Sequence, residues 1–218
     1  MKMPGMGRAG ALAVLTAWTL TGCFGGLLES SAPAEETYRI GQRAAPPPSI
    51  EGSSTTLALV VGRPRASTAL DTSRIAIVPG ASRFDYYTGV RWAEPAPQMV
   101  QHTLVSALAA TGRYAGVVAA PARSPAELML DVELRRYEAV APSPTSAPTV
   151  HVQLQASLVD ARRAARVDSL MADVQVAATG NSSAAIMAAF EAATQQAVEE
   201  TVRRIDRAVA TVPVTLQQ

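Results

Sequence analysis

Leu128-Met129-Leu130-Asp131-Val132-Glu133-Leu134-Arg135 decides the fold, because its apolar side chains sit at every second position. A period of two describes a strand with one face against a core and the other toward water. The pattern returns twice. Val150, Val152, Leu154, Ala156 and Leu158 alternate with His151, Gln153, Gln155 and Ser157. Leu170, Ala172, Val174, Val176 and Ala178 alternate with Met171, Asp173, Gln175 and Ala177. The proline-rich link at 141–148 and the shorter one at 160–165 leave no room for a parallel crossover, so both predict antiparallel neighbours.

Downstream, Asn181 or Ser182 is placed to cap a long helix running to about residue 209. Ile186, Phe190, Ala193 and Ala197 form one stripe, continued by Val198, Val202, Ile205 and Val209, while Glu191, Glu199, Arg203 and Arg207 fall opposite. Upstream, Pro95 and Pro97 open a helix to about Thr111, a first turn being where proline is tolerated. Its apolar face carries Val100, Leu104, Ala107 and Leu108. Shorter strands are predicted at 37–40, 55–61, 74–78, 83–88 and 116–119. The third and fourth of these join through Pro79-Gly80-Ala81-Ser82 as a hairpin. The expected class is α+β: a largely antiparallel sheet with two main helices packed on it.

The N-terminus carries a different signal. Lys2 and Arg8 precede a run of roughly a dozen mostly apolar residues, the length of a signal-peptide core and too short to span a bilayer. It ends in Leu20-Thr21-Gly22-Cys23, the pattern of a bacterial lipobox. Cys23 is the only cysteine, so no disulfide can form within the chain. The expectation is a signal peptide over 1–22, acylation of Cys23 by chains such as palmitate, a flexible tether over 23–36, and one domain over 37–212. A plain secretory signal with an incidental cysteine, or a short membrane anchor, is the alternative. Phe24, rather than Asp, follows the cysteine, which favours the outer membrane, periplasmic face, over the inner. A net charge of +1 with 17% charged residues lacks the basic excess of a nucleic-acid binder.

Catalytic and metal-ligating groups are sparse. His102 and His151 have no second ligand at zinc spacing, and no nucleophile-elbow or P-loop motif occurs. Asp131 and Glu133 share a strand face but read as solvated carboxylates beside Arg135 and Arg136. No catalytic residue, metal site or cofactor is assigned. The richest cluster is Phe84-Asp85-Tyr86-Tyr87, followed by Arg91-Trp92-Ala93-Glu94-Pro95. Alternation sends Tyr86 and Tyr87 to opposite faces, so part of the cluster is core. The remainder is a candidate partner-binding surface of Tyr86, Tyr87, Arg91, Trp92 and Glu94, since Tyr, Trp and Arg are favoured interface anchors.

Leu70-Asp71, Arg74-Ile75-Ala76, Tyr86-Tyr87 and Arg91-Trp92-Ala93-Glu94-Pro95, followed by an amphipathic helix, resemble the ABC-type transport auxiliary lipoproteins, the PqiC-like family. The likeness spans about residues 38–209. Ala96-Pro97 departs from the family's usual leucine after the proline. The resemblance implies a fold like the N-terminal domain of TolB. It also implies partnership with an MCE-domain protein and its ABC permease and ATPase, in systems that move lipids or other hydrophobic compounds between the inner and outer membranes. The membrane would be a further partner, through the N-terminal lipid, and a homo-oligomer is left open. Two other roles stand beside it. A lipid carrier needs its own apolar cavity; an envelope hydrolase needs a buried Ser–His pair.

Overall fold

The computed structural model describes residues 35–41, 55–80, 83–122, 126–143 and 145–210. Cys23, the leader, nearly all of the tether and the loop holding Pro46-Pro47-Pro48 lie outside these residues, as do Ala81 and Ser82 of the expected turn. Nine strands of the described residues form one mixed sheet. In chain order the elements are β1 (Glu36–Tyr38), β2 (Ala58–Val61), β3 (Arg65–Ala66), β4 (Arg74–Pro79), β5 (Asp85–Trp92), α1 (Ala96–Ala110), β6 (Gly116–Ala119), β7 (Leu128–Ala141), β8 (Thr149–Asp160), β9 (Ala165–Ala177) and α2 (Ser183–Ala210). The α+β class with two helices on a sheet is what the sequence predicts.

The three alternating runs become β7, β8 and β9, paired antiparallel along almost their whole length. β4 and β5 form the expected antiparallel pair. The remaining pairings are parallel. One edge of β7 takes β2 at Leu128–Leu130, β3 at Glu133–Leu134 and β4 at Glu138–Ala141. β6 lies parallel to β2, and β1 parallel to β5. Parallel neighbours need crossovers, and α1 lies in the one that leads from β2 to β6. Nothing in the two-residue β3 rises above its surroundings in sequence, and its pairing was not anticipated.

A register shift between Leu134 and Arg136 ends the strict alternation of β7. The buried set changes there from Leu128, Leu130, Val132 and Leu134 to Tyr137, Ala139 and Ala141. Both helices cover this face. α1 starts at Ala96 with Pro95 as N-cap, so Pro97 falls in the first turn, where no amide is needed. α2 is capped by Ser182, whose Oγ accepts from the Ala185 amide at 3.3 Å. Its stripe is fully buried, and the fully buried alanines at 193 and 197 are small residues that let the helix lie close to β8 and β9. Each buried Val, Leu or Ile contributes about 1.5–3 kcal/mol relative to an exposed one.

Polar groups inside this core are mostly paired. Gln101 donates its amide to the carbonyls of Val61 (2.9 Å) and Ala120 (3.0 Å), tying α1 to the ends of β2 and β6. Thr194 and Thr201 donate back to the carbonyls of Phe190 and Ala197 within α2. Asp206 differs: it is 1% exposed, its Oδ1 accepts from Tyr114 Oη at 2.7 Å, and its Oδ2 has no partner. Burial raises its pKa, opposed by the Tyr114 hydrogen bond and the Arg113 charge. A raised folded-state pKa gives stability that is complete below the unfolded pKa and lost as pH rises through the folded one. Thermal melts of wild type and Asp206→Asn across pH 3–8 should therefore diverge, the variant gaining relative to wild type as pH rises through the carboxylate range. Parallel curves would mean that the carboxylate titrates as it does unfolded.

Candidate functional site

The aromatic–arginine cluster lies on β5 and its neighbours, at the end of the sheet beyond β4. Register fixes which way each side chain points. Ala76 pairs with both Tyr86 and Glu138, Glu138 with His151, and His151 with Gln175. Tyr86, Ala76, Glu138, His151 and Gln175 are therefore one row across five strands, on the face turned away from the helices. The next residues on β7, Tyr137 and Ala139, point into the core.

β5 would separate Tyr86 from Arg91 if it ran regularly, since they are an odd number of residues apart. It does not: Arg74 pairs with Arg91 and Ala76 with Tyr86, so β5 spends extra residues opposite a short piece of β4. Gly89 takes φ of +74° in that irregular segment, a conformation that costs other residues about 1–2 kcal/mol. The result is one surface. The Arg74 guanidinium lies 3.6 Å from the Tyr86 ring centroid, and Phe84, 41% exposed, packs edge-on against Tyr86 at 5.4 Å. Tyr86 Oη donates to the Ala69 carbonyl at 3.0 Å. Arg91 reaches Ser73 Oγ at 3.0 Å and sits 3.8 Å from the Glu35 carboxylate. The Arg83 guanidinium, beside Asp85 at 2.7 Å, holds that carboxyl below its usual pKa.

One of the five expected partner-binding residues is re-placed by the structure. Trp92 is 1% exposed and is corrected from contact surface to core: its ring meets Tyr137 at 5.8 Å and Phe190 at 5.2 Å. The irregular turn of β5 sends Val90 and Trp92 under the helices while Arg91 stays outside. Tyr87 packs against the core, its Oη buried without a partner, and burial raises its pKa. Glu94 sits before α1 and meets His102 Nδ1 at 3.2 Å. Tyr86 and Arg91 are brought together. Phe84 and Arg74, on the same face, complete the surface.

A polar chain on the middle of this face was missed in the sequence. His151 Nε2 faces Asp173 Oδ1 at 2.6 Å, and Gln153 donates to Asp173 Oδ2 at 2.7 Å. Arg136 Nη1 lies 3.5 Å from His151 Nδ1 and 3.4 Å from Glu138 Oε1. Such a network places the neutral ring's proton on Nε2. The His151 hydrogen bond, with help from Gln153 and Arg136, lowers the Asp173 pKa. The usable signal was the hairpin register, which sets His151 and Asp173 on adjacent strands of one face. Both imidazole nitrogens are occupied, so the chain reads as a structural tie across β7–β9. Among the described residues no three His, Cys, Asp or Glu side chains gather as metal ligands.

A surface depression of about 450 Å³ lies along β3 and β7, lined by Arg65, Ala66, Ser67, Glu133, Leu134 and Arg135. Glu133 pairs with Arg135 at 3.4 Å across it, as a solvated carboxylate should.

Comparison with known proteins places these features in context. The family model described as "ABC-type transport auxiliary lipoprotein component" matches residues 38–202, from β1 into α2. Protein XCC0632 from Xanthomonas campestris, assigned to the family DUF330, is a similar solved structure at 26% identity. The match covers 79% of this chain and 95% of that one, with a TM-score of 0.72. A second structure, of an uncharacterized protein, has 13% identity and a TM-score of 0.59 over 79% and 99% of the two chains, and shows the fold alone. No curated protein matches.

Emptying the aromatic core should be costly: Trp92→Ala is expected to lose about 3–5 kcal/mol in urea unfolding. Tyr86→Ala, on the surface, should lose no more than about 2 kcal/mol. Equal losses would mean that the two rings are equally buried in solution.

Proposed function

The chain belongs to the ABC-type transport auxiliary lipoprotein component family, and from that premise we propose that it is the docking subunit of an MCE-type ABC transport system. In this reading lipid on Cys23 holds it at the periplasmic face of the outer membrane. There it receives the far end of an MCE-domain protein, whose inner-membrane permease and cytoplasmic ATPase drive the movement of lipids or other hydrophobic compounds.

The observation that carries the docking role is the patch of Phe84, Tyr86, Arg74 and Arg91, in which Phe84 is exposed and Tyr86 half-buried. It lies within the stretch the family model covers and offers aromatic area and guanidinium donors to a protein partner. Tyr86 and Arg74 are braced against each other, so little side-chain entropy remains to be lost on contact. The competing role, a carrier that shelters an acyl chain, has less support. The space between helices and sheet is filled by side chains such as Leu104, Leu154 and Phe190 at 0% exposure, and the depression along β3 and β7 is rimmed by three charged residues. Tyr87 and Glu94 take no part in the contact proposed here; Glu94 meets His102 in the middle of α1.

Two measurements test this. Mass spectrometry of the native product should find Cys23 acylated at the N-terminus of the mature chain; an unmodified thiol there removes the anchor from the reading. In cells carrying the whole transport system, Tyr86→Ala with Arg91→Ala should cut recovery of the MCE-domain protein about tenfold, with the variant's melting temperature little changed. Undiminished recovery would move the contact elsewhere.

A further inference from the structure

β9 is the outer strand beyond β8 and pairs with β8 alone. The Ala178 amide donates to the Pro148 carbonyl at 2.9 Å, and the ladder runs from Thr149↔Ala177 to Leu158↔Asp168 before its register shifts. Bonded and non-bonded pairs alternate in an antiparallel ladder. Ala172, Val174 and Val176 therefore turn their backbone groups toward β8, and Met171, Asp173 and Gln175 turn theirs away from the sheet. These outward amides and carbonyls have no partner among the described residues. The other outer strands, β1 and β6, have 3 and 4 residues, whereas β9 has 13 and contains no proline, its charged residues being Arg166, Asp168 and Asp173. Long edges free of proline are templates for strand addition.

A groove of about 270 Å³ runs beside this edge between β9 and α2, lined by Ser169, Leu170, Met171, Glu200, Arg204 and Arg207. Met171 is 49% exposed. Arg204 meets Asp168 at 3.1 Å, while Arg207 donates to the Arg203 carbonyl and makes no ion pair among the described residues, Glu200 being the carboxylate in the same groove. We propose that the outward edge of β9 takes an extended segment of a partner protein as an added strand, with acidic side chains directed at Arg204 and Arg207. The main chain of such a segment matches the free donors and acceptors at every second residue, and the groove reads its alternate side chains. A second copy of this chain fits poorly. Met171 is the midpoint of β9, and antiparallel self-pairing about it would bring two Arg204–Arg207 clusters together. This surface is separate from the patch on β4 and β5 and stands or falls without it.

The test uses the full chain and two ten-residue peptides, one alternating valine with glutamate and one alternating valine with lysine. Hydrogen exchange and fluorescence anisotropy are read. The glutamate peptide should bind about tenfold tighter and slow exchange at the amides of Met171, Asp173 and Gln175. Met171→Pro removes an outward donor and no bond to β8, and should weaken binding by a similar factor. Arg204→Glu with Arg207→Glu should invert the preference between peptides, which keeps the test decisive if the proline variant fails to fold. Equal binding of both peptides, binding of neither, or prior protection of those three amides in the free chain would overturn the proposal.

Discussion

β7 is the backbone constraint from which the rest of the fold follows. Buried amides and carbonyls must find partners, and β7 has two long edges to satisfy. β8 takes one; β2, β3 and β4 take successive stretches of the other. Strands of 2 to 6 residues do not hold their own register, so theirs is borrowed from β7. The shift at Arg135 then decides what β7 shows to the helices. Beyond it Tyr137 turns inward, where Trp92 of β5 and Phe190 of α2 meet it within 6 Å. One irregular step in one strand thus joins the end of the sheet to the helix layer through three rings.

The two sheet faces divide the labour. The covered face is aliphatic and aromatic, and most of its few polar side chains are tied within α1, α2 or the strand ends, Asp206 Oδ2 and Tyr87 Oη excepted. The uncovered face carries a row of polar groups that bond to one another across strands, as at His151, Asp173 and Gln153. Such a network stiffens the centre of the sheet without presenting a greasy surface. The aromatic area on this face is gathered at the β4–β5 end, where Gly89 lets Tyr86 and Arg91 emerge on the same side.

Legibility in the sequence followed whether a feature is local. Period-two runs, proline at the start of α1 and Ser182 before α2 each leave their mark within a few residues, and the elements they predict are present. The parallel pairings of β2, β3 and β4 depend on a partner strand 62 to 69 residues away and leave no local trace. Bulges break alternation where they occur: the apolar period of β7 simply stops at Arg135. Trp92 was misplaced because a tryptophan beside an arginine suits a core and an interface equally well. Only the irregular path of β5 separates them. The Phe84, Tyr86 and Arg91 part of the patch was legible as composition, its Arg74 flank only from pairing.

Position relative to the anchor gives the docking reading its physical economy. Cys23 precedes Glu36, the first residue of β1, by 13 residues, a reach of at most about 45 Å. β1 is hydrogen-bonded to β5, with Thr37 opposite Arg91. The chain therefore enters the sheet at the strand that carries the proposed contact surface. A lipid on Cys23 would hold Glu36, where the chain enters the strand beside β5, within this reach of the bilayer. Confinement of that kind raises the effective concentration of the patch for anything else arriving at the same membrane. A contact as small as Phe84, Tyr86, Arg74 and Arg91 could then be weak in free solution and still be occupied at the envelope.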